Sequence, residues 1–235
     1  MERVVTDEMN AILSQEFMEW EVEVAIKQMA PLKAPGPDGI PPFFYQNYWS
    51  LVGDDVSKTI SSMLNSATIP RPLNHTFITL IPKTKNHLAV TDCHPISLCN
   101  VLCKIFSKVL ANRLNKILPS IIIEHQSAFT KTRLILDNIL VAFETLHSMN
   151  IHKSSKSGYM AVKLDMSEAY DRVEWSFLEE VMRMMGFNEQ WIALMMICVK
   201  TMSYSVLLNG EPKGMIEPSR SIHQGDPLSP FLVLL

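Results

Sequence analysis

The chain has 235 residues, of which 47% are hydrophobic and 19% charged, with a formal net charge of −3. That balance is enough to bury a sizeable core as one large domain or two small ones, and it excludes wholesale disorder. No apolar run approaches the ~20 residues needed to cross a bilayer and the polar N-terminus lacks a signal-like apolar core, so an intracellular protein is expected.

Residues 15–30 carry Phe17, Val22, Ile26 and Met29 at near-helical spacing, with glutamates early and Lys27 late, which predicts an amphipathic helix aligned with its dipole. Pro31 ends it, and Lys33-Ala-Pro-Gly-Pro-Asp-Gly39 follows as a rigid turn. The aromatics Phe43, Phe44, Tyr45, Tyr48 and Trp49 read as core packing or as a base-stacking platform. A helix is predicted over 51–66 and ended by Ile69-Pro-Arg-Pro72. Phe77–Ile81 reads as a strand running into Pro82-Lys-Thr-Lys85, whose lysines could meet a phosphate or blunt a sheet edge. A loop through Asp92 reaches Pro95-Ile-Ser-Leu98 and then a helix over 101–118. That helix has an apolar stripe, with Lys104, Lys108, Arg113 and Lys116 on other positions and no acid of its own.

Gln126-Ser-Ala-Phe-Thr130 precedes a helix over 134–149. A Ser/Lys/Gly loop at 153–158 then leads into Tyr159, Ala161, Val162 and Leu164, which read as a buried strand ending in the acidic residues Asp165, Glu168 and Asp171. Two Met-rich helices follow, Val173–Met185 and Asn188–Met202, split by Gly186 and expected to pack together. Tyr204–Leu208 with Asn209-Gly210 predicts a β-hairpin on a type I′ turn. In the last stretch Asp226 reads as an N-cap with Pro227 at the first helical position. The chain stops about two turns later in an apolar run, so a truncated domain is expected. Strands before and after helical pairs predict an α+β fold, not a regular parallel array.

Charge is unevenly spread. Residues 1–70 hold four Lys/Arg against ten Asp/Glu, residues 71–133 hold nine against two, and the remainder eight against twelve. A basic middle between acidic flanks is either a track for a phosphate backbone or a solvated face. The cysteines Cys93, Cys99, Cys103 and Cys198 lack CxxC spacing and read as reduced core thiols. Asp165 at a strand end is either a ligand for a divalent cation beside a phosphate or a cap for the next helix. A calcium loop at 165–176 fails, because its sixth position is Tyr170 where glycine is needed and its twelfth is Ser176 where glutamate is needed.

Taken in order, several blocks resemble the reverse transcriptase domain of LINE-type (non-LTR) retrotransposons, especially plant ones. They are Lys33–Gly39, Leu80-Ile-Pro-Lys83, Pro95–Asn100, Gln126–Phe129, Leu164–Trp175 and Gln224–Pro230. The resemblance implies a helix-rich right-hand polymerase, with 1–32 as a helical lead-in and 33–235 as fingers and partial palm, thumb absent. It implies an RNA template, a DNA primer, deoxynucleoside triphosphates and a pair of Mg²⁺ ions. Asp165 and the carbonyl of Met166 would be metal ligands, and Tyr170 the gate at the sugar 2′ position. Gln224 and Gly225 would contact nucleotide and template, with Lys83 facing the triphosphate. His94 stands where the family usually has an arginine of the nucleotide-binding surface.

The departures are informative. The aromatic-Ala-Asp-Asp hairpin that supplies the remaining carboxylates does not occur before Leu235. His223 also replaces a usual Arg, and Thr132 a usual Gly. Asp171 is expected to be structural, in an ion pair. The resulting expectation is a polymerase fragment inactive by itself. The alternatives are a non-catalytic RNA-binding remnant using the basic 71–133 surface, and an unfolded pseudogene product.

Overall fold

A computed structural model of the chain describes residues 3–86, 88–130, 133–151, 159–166 and 169–235. Glu168, Thr132 and the loop at 153–158, all singled out above, lie outside the described residues.

Helix α1 (Asp7–Leu13) is capped by Thr6, whose hydroxyl accepts from Met9 N–H. Helix α2 (Glu19–Lys27) is the shorter core of the helix expected over 15–30. Pro42 sits in the first turn of α3 (Pro42–Asn47), and α4 (Trp49–Ser66) follows and packs on α2. The next long helix, α5 (Val101–Ile121), is the spine of the molecule, buried on nearly every face. Val101, Ile105, Leu110, Leu114 and Leu118 are essentially inaccessible. Helices α1, α2 and α4 all pack against it.

Strand β1 (His75–Pro82) matches the expectation, while β2 (Cys93–Cys99) covers Pro95–Leu98, for which the sequence reading assigns no element. The two pair antiparallel, Thr76 opposite Cys99 and Pro82 opposite Cys93. A hairpin of β3 (Ser203–Leu208) and β4 (Glu211–Ile216) turns on Asn209 and Gly210, both at positive φ (54° and 83°), as a type I′ turn requires. Strand β3 lies parallel to β1, giving the order β2-β1-β3-β4. His75 ties β1 to β3 through Ser203 Oγ (2.8 Å) and Ser205 Oγ (3.1 Å).

Helix α6 (Ile135–Ile151) forms as expected but has no buried residue. The short α7 (Ala169–Arg172) leads to α8 (Trp175–Met185) and α9 (Glu189–Lys200), which pack on each other, with Met182, Met185, Met195 and Met196 buried in the core. A last helix, α10 (Ser229–Leu234), follows the hairpin. The fold is therefore mixed α+β. Cys99 and Cys103 are buried, Cys93 and Cys198 partly buried, and all four are free thiols. Among the described residues no helix is long and apolar enough to cross a membrane.

One element departs outright from the sequence reading. Residues 159–166 form no strand; they run as irregular chain, with Val162 65% and Leu164 90% exposed. Alternating apolar residues supply only half of what a strand needs. The other half is a neighbour to pair its N–H and C=O groups, and none of the four described strands lies beside this segment.

Candidate functional site

Asn100, Lys104 and Ser107 lie one above the other along the first turns of α5, at spacings of four and three residues. Asn100 and Lys104 both reach the loop at 33–39, and Ser107 reaches the turn at 223–226. Asn100 Oδ1 accepts from Asp38 N–H (3.1 Å), and its amide donates to Leu73 O (2.8 Å). The Lys104 ammonium, 2% exposed, donates to Ala34 O (3.0 Å). Ser107 Oγ donates to the Asp226 carboxylate (2.7 Å). The loop at 33–39 is thus laid against the helix start. Gly36 permits this approach, because a Cβ there would fall 2.3 Å from Asn100 N.

The same loop touches the turn at 223–226. Lys33 Nζ donates to Gly225 O (3.0 Å), and Ser97 N–H of β2 donates to Gln224 O (3.3 Å). Gly225 has φ 112°, a conformation that glycine adopts without strain. Asp226 does not act as the N-cap of α10. Its second oxygen accepts from Leu228 N–H (2.8 Å), and the helix starts at Ser229, after Leu228. Capture by Ser107 explains the shift, since the side chain is committed to α5. Burial raises the Asp226 carboxyl above its usual range, opposed by the bonds from Ser107 and Leu228 and by the charges of Lys33 and Lys104. His223 is buried edge-on to the Tyr204 ring (5.3 Å, 90°), and its Nε2 has no partner among the described residues. Burial, and then the charge of Lys104, pushes its pKa down to about 4.

The segment after Asp165 meets the opposite flank of this turn. Ile222 N–H donates to Tyr170 O (3.0 Å) and Ser221 N–H to Val173 O (2.9 Å), while Trp175 Nε1 donates to Ser221 O (2.7 Å). Ser221 Oγ donates to Asp171 (3.3 Å); Asp171 makes no ion pair among the described residues, contrary to expectation. Tyr170 is half-buried against the core, which raises its phenol pKa. Gln224 is partly buried and Gly225 exposed.

Other expected site residues stand apart. Asp165 and Met166 are exposed on the irregular segment. Lys83 lies beyond the end of β1, its ammonium donating to Thr91 O (3.0 Å), and His94 is exposed opposite Ile81. Ser97, which touches the turn, pairs with Ile78; Lys83 is five residues further on, about 17 Å at ~3.3 Å per residue, and His94 about 10 Å from Ser97. Among the described residues no three His, Cys, Asp or Glu side chains come together as a metal site. Asp171 is engaged by Ser221 and Asp226 by Ser107, so the described carboxylates do not fit a pair of Mg²⁺ ions beside Asp165.

The basic surface over 71–133 is also thinner than its sequence suggests. Lys104 and Arg113, two of the four cations of α5, are each 2% exposed. Arg113 pairs with Glu21 (2.6 Å), donates to the carbonyls of Leu13, Gln15 and Glu16, and stacks 3.6 Å over the Phe17 ring. Arg133 spends its guanidinium on the carbonyls of Pro119, Ile123 and Gln126 at the end of α5. The acid that offsets α5 comes from α2, 92 residues away.

Residues 81–235 match the reverse transcriptase (RNA-dependent DNA polymerase) family, and the chain belongs to that family. Proteins of mobile elements are among those it is similar to. It is 25% identical over 224 residues to the transposon TX1 uncharacterized 149 kDa protein of Xenopus laevis, covering 92% of this chain and 17% of the relative. It is 28% identical over 216 residues to the retrovirus-related Pol polyprotein from the type-2 retrotransposable element R2DM of Drosophila melanogaster, covering 90% and 19%. A third, the Pol polyprotein from a type-1 retrotransposable element R2 of Nasonia vitripennis, is 24% identical over 213 residues, covering 88% and 20%. The chain thus spans about a fifth of the length of these relatives.

Proposed function

We propose that this chain is the fingers and partial palm of an RNA-directed DNA polymerase from a non-LTR retroelement, and that by itself it is inactive. The supporting observation is the convergence of four separate blocks. Loop 33–39 and Asp226 are held on one face of α5, and the turn at 223–226 also meets β2 and, on its other flank, the chain around α7, all through named hydrogen bonds. The reaction implied by the family attaches a primer 3′-hydroxyl to the α-phosphorus of a nucleoside triphosphate and releases pyrophosphate. Such chemistry asks a protein mainly for placement and charge compensation.

In this reading Gln224 and Gly225 face nucleotide and template, and Tyr170 abuts the sugar. Lys83 and His94 stand on the β1–β2 hairpin near the triphosphate. By descent Asp165 and the Met166 carbonyl would hold a Mg²⁺ ion, which would supply neutralisation of phosphate charge. Inactivity follows from the carboxylates: the described ones do not gather around Asp165. The RNA-binding remnant is the weaker reading, because Lys104, Arg113 and Arg133 are spent on the protein itself.

The purified chain should be tested for primer extension on an RNA template with Mg²⁺ and for equilibrium binding of an RNA–DNA hybrid. The expected result is hybrid binding without incorporation. Templated incorporation overturns the inactivity, and failure to bind the hybrid overturns the polymerase reading.

A further inference from the structure

We infer that Lys33 and Ser107 are positioning residues that set the turn at 223–226 from two sides, a role that rests on the polymerase reading of that turn. The turn is closed by one backbone bond of its own, from Asp226 N–H to His223 O (3.3 Å). Its exposed member, Gly225, has φ 112° and no side chain, and a Cβ there would meet only Ser97 O, at 3.6 Å. Three outside contacts add to that bond. Lys33 fixes the Gly225 carbonyl from a loop 192 residues earlier, and Ser107 fixes the Asp226 carboxylate from α5, 119 residues earlier. The third is backbone to backbone, from Ser97 to Gln224.

The two side-chain contacts are linked. Lys104 stands one turn before Ser107 on α5 and holds Ala34, the residue next to Lys33. The loop that carries Lys33 is thus registered against the same helix that holds Asp226. One rigid element sets both clamps, and any tilt of the loop moves the Gly225 carbonyl with it. Charge points the same way: the half-buried Asp226 carboxylate sits near two ammonium groups, those of Lys33 and Lys104. A charge-assisted hydrogen bond from lysine to a main-chain carbonyl is stronger than a neutral one, which suits a positioning task. Lys33 and Ser107 hold the frame in which Gln224 and Gly225 would meet a nucleotide.

The test uses the full chain with Lys33→Met, Lys33→Arg and Ser107→Ala. Hydrogen exchange of the amides in 222–228 is expected to quicken roughly five- to tenfold in K33M and S107A, with α8 and α9 unchanged, and to return toward wild type in K33R. On the preformed complex with an RNA–DNA hybrid, K33M is expected to weaken binding of the complementary deoxynucleoside triphosphate several-fold, and by clearly more than it weakens hybrid affinity. A purely structural role would lower both affinities together or neither. Unchanged exchange in 222–228 for K33M and S107A overturns the clamp, and so does an equal loss of both affinities. Because exchange is read without ligand, it judges the clamp even if wild-type protein binds no hybrid, the outcome that defeats the polymerase reading alone.

Discussion

Replacing Arg113 with methionine should remove the contact that joins the N-terminal helices to α5. All five guanidinium N–H groups are used: two go to Glu21 and three to the carbonyls of Leu13, Gln15 and Glu16. Methionine keeps much of the apolar stem over Phe17 but leaves the Glu21 carboxylate, 8% exposed, without its cation. An uncompensated buried charge of this kind costs about 3–5 kcal/mol, a large part of the ~5–15 kcal/mol that holds a domain together. In urea, at a slope of roughly 2–3 kcal/mol per M, the midpoint should fall by about 1–2.5 M with the slope unchanged. The double variant Arg113→Met/Glu21→Leu removes both charges and should recover at least ~2 kcal/mol of the loss. Burial alone would raise the Glu21 pKa, but the Arg113 bond and charge, with the Met18 N–H, outweigh it and lower it. A lowered carboxyl contributes stability that is present above its unfolded value and lost as pH falls through the folded value, so the wild-type advantage over the double variant should shrink below about pH 4. A midpoint shift under ~0.3 M for the single variant, or a double variant no more stable than the single, would refute this reasoning.

His223, neutral and buried with a pKa near 4, should make the fold less stable as pH falls from about 6.5 to 4, because only the unfolded chain then takes up the proton. The slope amounts to ~3 kcal/mol in total, and His223→Phe should flatten it in urea titrations at pH 7 and 5. Gly36→Ala places a methyl against the Asn100 backbone and should lower stability by ~1–3 kcal/mol, read by thermal melting. Gly210→Ala meets no atom within 4 Å but keeps φ 83°, so it should cost only ~1 kcal/mol, all of it backbone strain. Asp165→Asn should leave stability within ~0.5 kcal/mol, since the carboxylate is exposed and makes no bond among the described residues.

Local patterns were readable in the sequence wherever the structure is made locally. The apolar stripe of α5, the Asn209-Gly210 turn and the Met-rich pair α8 and α9 all follow from spacing and turn chemistry. Strand β2 was missed because Cys93-His-Pro-Ile-Ser-Leu-Cys99 holds a proline and little β-branched character; the strand exists because β1 lies beside it. The reverse error at 159–164 has the same cause, a strand-like pattern without a partner. The basic face of α5 misled because a lysine or arginine codes equally for a surface charge and a buried clamp. What separates them is the arrival of Glu21 and of the Ala34 carbonyl from far along the chain. For the site, the motif blocks were visible one by one, but Lys33, Ser107 and Asn100 went unremarked as its organisers. Their partners lie 192, 119 and 62 residues away, and no spacing rule reaches that far.

The central claim is that loop 33–39, the end of β2 and the turn at 223–226 form one nucleic-acid-facing site. Hydrogen exchange of the full chain with and without an RNA–DNA hybrid tests it directly. The account predicts added protection at 33–39, 94–100 and 220–228 together, with little change in α8 and α9. Protection of only one of these blocks, or protection confined to other parts of the chain, would contradict it.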